Sequence, residues 1–115
     1  MATQAEVRNR ALRLIQVTDA YNPPNANIAA EADNFLTDLH EEMVDRRLVD
    51  WELTAIPARA TRALVYMLGH ALLDVHDVDP DIYQKVTVGA QEAQKRLYEQ
   101  ASVPYNGEPV QADYF

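Results

Sequence analysis

Residues 57–75 read Pro57-Ala-Arg-Ala-Thr-Arg-Ala-Leu-Val-Tyr-Met-Leu-Gly-His-Ala-Leu-Leu-Asp-Val75. Ala60, Leu64, Met67, Leu68, Ala71, Leu72 and Val75 recur at three- and four-residue spacing, the pattern of a helix with one buried face. Pro57 fits the first turn of such a helix, where a missing N–H costs nothing. Ala60, Ala63, Gly69 and Ala71 keep the helix slim, so other helices can approach it closely. It is expected to be the most buried element of an all-α fold.

The flanking stretches read the same way. Thr3 to Gln16 predicts a helix, with Thr3 and Glu6 as a capping box and Val7, Ala11, Leu14 and Ile15 as its apolar stripe. Arg8, Arg10 and Arg13 lie off that stripe. Val17 to Asn27 predicts a loop broken by Asn22-Pro23-Pro24-Asn25. Asn25 or Asn27 can cap a second helix running to about Arg47, with Ile28, Ala32, Phe35, Leu36, Leu39 and Met43 facing inward. Glu31, Asp38, Glu42 and Asp45 form an acidic stripe beside that face. Arg46-Arg47 closes the helix, where cations offset the negative end of its dipole. Leu48 to Ile56 is too apolar for a free linker, and Trp51 and Leu53 are expected to pack down as a lid. Asp79-Pro80 starts a fourth helix with inner residues Ile82, Val86, Gly89, Ala93 and Leu97, ending near Ser102. Nothing predicts a strand of any length. The expected architecture is a four-helix, bundle-like domain over residues 1–102 with an extended C-terminal arm over residues 103–115.

That arm contains Pro104, Pro109 and Asn106-Gly107, which exclude a helix. Yet Tyr105, Val110, Tyr114 and Phe115 are costly to leave in water. An idle tail is usually polar. One ending in Tyr-Phe is expected to dock, on its own core or on another protein.

Composition bounds the function classes. A chain of 115 residues makes one domain with one core. It has no cysteine, which excludes disulfides and thiolate chemistry and is compatible with a reducing cytoplasm. Its opening residues lack the pattern of a signal peptide, and no apolar run reaches the length of a membrane span. The net charge of −8 argues against nucleic-acid binding as the main task, since phosphate affinity comes from cations. Eight of the ten basic residues are arginine, which reflects either ordered ion pairs at interfaces or a GC-rich genome.

Catalytic and metal chemistry find little footing. His70 and Asp74 share a helical spacing, but such pairs usually make a local hydrogen bond or ion pair. Asp77-x-Asp79-x-Asp81 resembles the start of a calcium loop, but Ile82 stands where the glycine belongs and Val88 where the closing glutamate belongs. Ser102 has no histidine near it in sequence, and Glu41-Glu42 beside His40 reads as a solvated helix face. Gly69, Gly89 and Gly107 stand alone and form no phosphate loop. No enzyme, metal or cofactor is expected. Among the aromatics, Phe35, Trp51 and Tyr66 are expected in the core, while Tyr21, Tyr83 and Tyr98 fit a core edge or an interface equally.

Three stretches carry a family resemblance. They are Val7-Arg-Asn-Arg-Ala-Leu-Arg-Leu-Ile-Gln-Val17, the run Ala32 to Trp51 with its hydrophobic connector, and Ile56-Pro57 followed by the Ala- and Leu-rich helix to Val75. Together they resemble the head-to-tail adaptor proteins of tailed bacteriophages. The nearest likeness is to the tail accessory, or packaged-DNA-stabilisation, proteins of short-tailed phages; a broader one is to the head-completion connectors of long-tailed phages. The likeness covers about residues 5–100 and rests on the order of elements, not on any single residue. A Leu-Gly pair is usual at the end of the first helix, where this chain has Ile15-Gln16. The loop after the second helix and the C-terminal arm are shorter here.

The resemblance implies a structural virion protein at the head–tail junction, made in the host cytoplasm. It implies copies of the chain in a ring, usually of twelve, beneath the portal protein, and downstream tail or nozzle proteins below it. DNA would pass through the channel without specific binding, and no membrane is involved. Tyr105, Val110, Tyr114 and Phe115 would dock on the portal or a ring neighbour, since thirteen extended residues reach roughly 40 Å. Arg8, Arg10 and Arg13 would pair with Glu31, Asp38, Glu42 and Asp45 of the adjacent subunit, a head-to-tail contact of the kind that closes rings. The acidic surface would keep the duplex from sticking to the channel wall. The alternative from another class is a small acidic helical regulator or DNA mimic that binds a basic protein surface. Salt-sensitive binding to a DNA-binding protein would mark it.

Overall fold

Thr3 and Glu6 set the first helix. The Thr3 hydroxyl accepts a hydrogen bond from the Glu6 amide, and the Glu6 carboxylate accepts one from the Thr3 amide at 3.0 Å. This capping box satisfies two donors that a helix start leaves open. The protein, here a computed structural model, is described over residues 2–18 and 24–102, the last three of these as backbone alone. The arm at 103–115 and Tyr21 lie outside the described residues.

The chain is an all-α domain of four helices, α1 (Gln4–Leu14), α2 (Ala26–Asp45), α3 (Ala58–Leu72) and α4 (Pro80–Ser102). Among the described residues, extended pairing is confined to one antiparallel bridge between Ala2 and Ile56. Two backbone hydrogen bonds, of 3.0 and 2.9 Å, make that bridge and fasten the N-terminal end to the α2–α3 connector.

Of the two candidate caps for α2, Asn25 is the one used; its side chain accepts from the Ile28 amide at 2.9 Å, and Asn27 lies within the helix. The loop is therefore shorter than Val17–Asn27. Pro57 stands at the cap of α3, one residue before the expected first turn, because its extended backbone (ψ 147°) aims its carbonyl at the amides of Ala60 and Thr61. Thr61 is buried, and its hydroxyl donates to the same carbonyl at 3.0 Å, so its burial leaves no polar group unmet. Pro80 opens α4 as the first helical residue, and the Asp79 carbonyl receives the Tyr83 amide.

Helices α1 and α2 end earlier than Gln16 and Arg47, and for one shared reason. The Gln16 amide bonds the Arg13 carbonyl and the Val17 amide bonds the Leu12 carbonyl; Arg47 with Val44, and Leu48 with Met43, repeat the pattern. Each is a Schellman motif, whose turning residue takes a left-handed backbone. Gln16 has φ 61° and Arg47 φ 60°. Glycine is the usual residue there because a side chain in this region costs about 1–2 kcal/mol. Gln16→Gly is expected to stabilise the domain by about 0.5–1 kcal/mol, the left-handed cost less the backbone entropy of glycine. Urea unfolding would show it, and a lower midpoint would contradict the motif.

Helix α3 is the hub. It packs most extensively on α4, then on α1 and α2. Leu64, Leu68 and Leu72 are wholly buried, with Ala60, Val65 and Gly69 beside them. Around it lie Val7, Ala11, Leu12 and Ile15 of α1, Ala32, Leu36 and Met43 of α2, and Val86, Ala90, Ala93 and Leu97 of α4. Each large aliphatic side chain so buried contributes about 1.5–3 kcal/mol. Gly69 permits a close approach of α1 and α4: a Cβ there would meet Leu14 Cδ2 at 3.3 Å and Val86 Cγ1 at 3.5 Å.

Some side chains depart from the sequence pattern. Leu12 is fully buried although it lay off the expected α1 stripe, whereas Leu14 is only half-buried. Helix α1 packs against both α2 and α3, so its buried arc is wider than one stripe. Val75 is 44% exposed, because α3 stops at Leu72 and the stripe stops with it. Phe35, Trp51 and Tyr66 are half-buried rather than interior. Leu48, Val49, Trp51 and Leu53 do pack down on the core, as a lid should.

Candidate functional site

The chemistry-bearing residues singled out by the sequence separate in space. Among the described residues, no group of three or more His, Asp or Glu side chains is placed to hold a metal ion. His70, Asp74, Asp77, Asp79 and Asp81 are exposed. His76 is half-buried, with Nε2 3.8 Å from Glu31 Oε1, beyond hydrogen-bond distance. His40 Nε2 donates to the Trp51 carbonyl at 2.7 Å, and the two rings lie 5.6 Å apart. These contacts hold the connector under α2. No described helix is long and apolar enough to cross a membrane.

The residues expected at a subunit contact divide. Tyr105, Val110, Tyr114 and Phe115 lie outside the described residues. Arg8 is spent within its own chain: Nη1 donates to Asp33 Oδ2 at 2.9 Å and Nε to Asn9 Oδ1 at 3.0 Å. Arg10 and Arg13 are exposed on α1. Glu31, Asp38, Glu42 and Asp45 are all exposed, so the acidic stripe is a real surface feature. Within it Glu42 holds Arg46 at 2.8 Å, one helical turn on. That pair sits in solvent and contributes little to stability.

A groove of about 420 Å³ runs between α2 and α4 over the outward face of α3. Leu39, Met43, Met67, Ala71, Ala90 and Leu97 give it an apolar lining, and Glu42, Arg46, His70, Gln91 and Gln94 add polar groups. Arg46 Nη1 donates to the Tyr98 hydroxyl at 3.1 Å, bridging α2 and α4.

On the other flank of α4 lies a smaller groove, of about 240 Å³, that the sequence reading missed. Arg59 and Arg62 of α3 and Lys85 and Arg96 of α4 line it, against one carboxylate, Glu92. Its middle is apolar: Tyr66, Gly89, Ala93 and Val88, the last 49% exposed. The Arg62 guanidinium lies over the Tyr66 ring, 5.8 Å from its centroid. Four of the chain's ten basic residues meet here, in a protein of net charge −8. The groove was hidden because its cations come from two helices; only the spacing of Arg59 with Arg62, and of Lys85, Val88, Glu92 and Arg96 along one face, hints at it.

A third concavity, of about 400 Å³, opens where α2 meets the connector. Glu41, Asp45, Asp50 and Glu52 surround Val44, Val49 and Trp51, and Val44 is 45% exposed.

No protein-family model, curated protein or solved structure matched the chain.

Both charged concavities are lined by an exposed valine and by charges mainly of one sign, and protein contacts commonly combine apolar and polar groups in this way. The Gly89–Tyr66 contact shapes the basic one. A Cβ at Gly89 would overlap Tyr66 Cδ1 and lie 3.2 Å from its Cγ, so the ring rests on the bare α4 backbone. Gly89→Ala is expected to push the ring away and cost about 1–3 kcal/mol. In a Tyr66→Ala background the same change should cost little, and a double-mutant cycle by urea unfolding would reveal the coupling. Equal costs in the two backgrounds would refute it.

Proposed function

We propose that this chain is a structural virion protein, a head-to-tail adaptor whose copies form a ring below the portal, extend the DNA channel and offer a platform to later tail proteins. The observation that carries this reading is the pair of unlike charged surfaces on separate elements: an acidic one on α2 and its connector, and a basic one between α3 and α4. A subunit lying between two neighbours needs two different faces, and heterologous contacts between such faces close into rings. The order of helices along the chain is in keeping with the order of elements on which the resemblance rests. At Gln16, where the resembled proteins usually carry glycine, the chain departs from their pattern and takes a left-handed backbone (φ 61°). The C-terminal arm, with Tyr105, Val110, Tyr114 and Phe115, is assigned to the portal or a ring neighbour.

Mixing the purified protein with portal rings, followed by mass measurement and electron microscopy, tests the reading. A ring of copies on the portal is expected, and deletion of residues 103–115 should abolish it while leaving the helical body folded. Normal binding by the truncated chain would remove the arm from the contact; no binding by the full chain would overturn the adaptor reading.

The exposure of Glu31, Asp38, Glu42 and Asp45 on one helix face favours a second reading, an acidic regulator or DNA mimic that occupies a basic cleft. Such a contact would weaken steeply with salt and involve a DNA-binding protein rather than a portal.

A further inference from the structure

We propose that one copy of this chain binds the next by seating the acidic concavity of α2 and its connector, centred on Val44, against the basic groove between α3 and α4, centred on Val88. The inference rests on the self-association in the adaptor reading and names its contact. Glu41, Asp45, Asp50 and Glu52 stand around Val44 on one surface; Arg59, Arg62, Lys85 and Arg96 stand around Val88 on the other. The two surfaces share no residue. Acid-on-acid or base-on-base pairing sets like charges against each other, whereas acid-on-base pairing brings the four carboxylates of one surface to the four cations, offset only by Glu92, of the other. The two valines are among the most exposed large apolar residues described, at 45% and 49%, and the pairing covers both. Arginine supplies three of the four cations, and its planar fork binds a carboxylate through two parallel hydrogen bonds.

This contact differs from the one expected from sequence. Arg8 already serves Asp33 inside the chain, while Arg10 and Arg13 stay exposed on α1. Glu92 sits within the basic groove and faces the incoming acids, so its removal strengthens the contact.

The chain has no cysteine, which makes the test direct. One population carries Val44→Cys and another Val88→Cys, and the two are mixed under mild oxidation at low salt. The 44–88 mixed disulfide is expected at least tenfold faster than either like-with-like disulfide, and faster than a pair with one cysteine moved to the exposed Gln84 position. Arg59→Glu with Arg62→Glu on the Val88→Cys chain should remove that advantage, as should Asp45→Arg with Asp50→Arg on the Val44→Cys chain. Combining both reversed chains should restore it. Cross-linking no faster than the Gln84 control, or no rescue on combination, overturns the contact. So does a groove that instead binds a short DNA duplex and loses it with Arg59→Glu and Arg62→Glu. A 44–88 contact that forms in solution without any binding to the portal supports this inference while defeating the adaptor reading. Portal binding that is indifferent to all four charge reversals does the opposite.

Discussion

Replacing Leu68 by alanine is expected to cost about 2–5 kcal/mol, the range for removing a fully buried leucine and leaving part of its cavity. Leu68 has no exposed surface and sits midway along α3, the helix on which α1, α2 and α4 all pack. A domain of this size has about 5–15 kcal/mol of stability in all, so the change removes a large share of it. Urea unfolding should show a lower midpoint with an unchanged slope, since the surface exposed on unfolding stays nearly the same. Met67 is its control. That side chain is half-buried at the α2–α4 groove, and Met67→Ala should cost less than half as much. Equal costs would mean that α3 is not the hub.

Leu12→Ala is expected to have an effect of the same order, about 2–5 kcal/mol, and Leu14→Ala a clearly smaller one. The sequence pattern orders these two leucines the other way, with Leu14 on the inner stripe. In the fold Leu12 is wholly buried and Leu14 half-buried. Leu12 stands one turn after Arg8, on the flank of α1 where Arg8 reaches Asp33 of α2. Its carbonyl also accepts the Val17 amide in the Schellman turn, and Val17 packs against the core cluster to which Leu12 belongs. Parallel urea titrations of the two variants decide the order.

Helix existence was legible in the sequence because apolar spacing coincided with a start signal, a cap or a proline, at each element. Apolar spacing marked the faces of α2 and α3, caps at Thr3 and Asn25 marked starts, and proline at 57 and 80 marked entries. Boundaries were less legible. Gln16 and Arg47 are ordinary helix formers by type, and only the left-handed turn they adopt shows that both helices have already ended. The core was legible where a helix packs on one side and misread where it packs on two, as at Leu12. The candidate surfaces divide along the same line. The acidic stripe lies on one helix, so its periodicity shows it. The basic groove draws Arg59 and Arg62 from α3 and Lys85 and Arg96 from α4, and no spacing in the chain connects them. The Arg8–Asp33 pair, which withdraws Arg8 from any neighbour, likewise joins two helices.

The bridge between Ala2 and Ile56 gives folding an order. Helices α3 and α4 are joined by a short turn and make the most extensive contact in the domain, so they can meet early at little loop-closure cost. The bridge instead joins the N-terminal end to a residue just before α3, across all of α1 and α2, and its two hydrogen bonds reward closure only after that whole segment has been drawn in. The seam therefore belongs to the last stage of folding and the first stage of unfolding. Weakening it at Ala2, whose amide donates one of its two bonds, should quicken unfolding while leaving the refolding rate nearly unchanged, which would make this bridge a latch on the lifetime of the folded state.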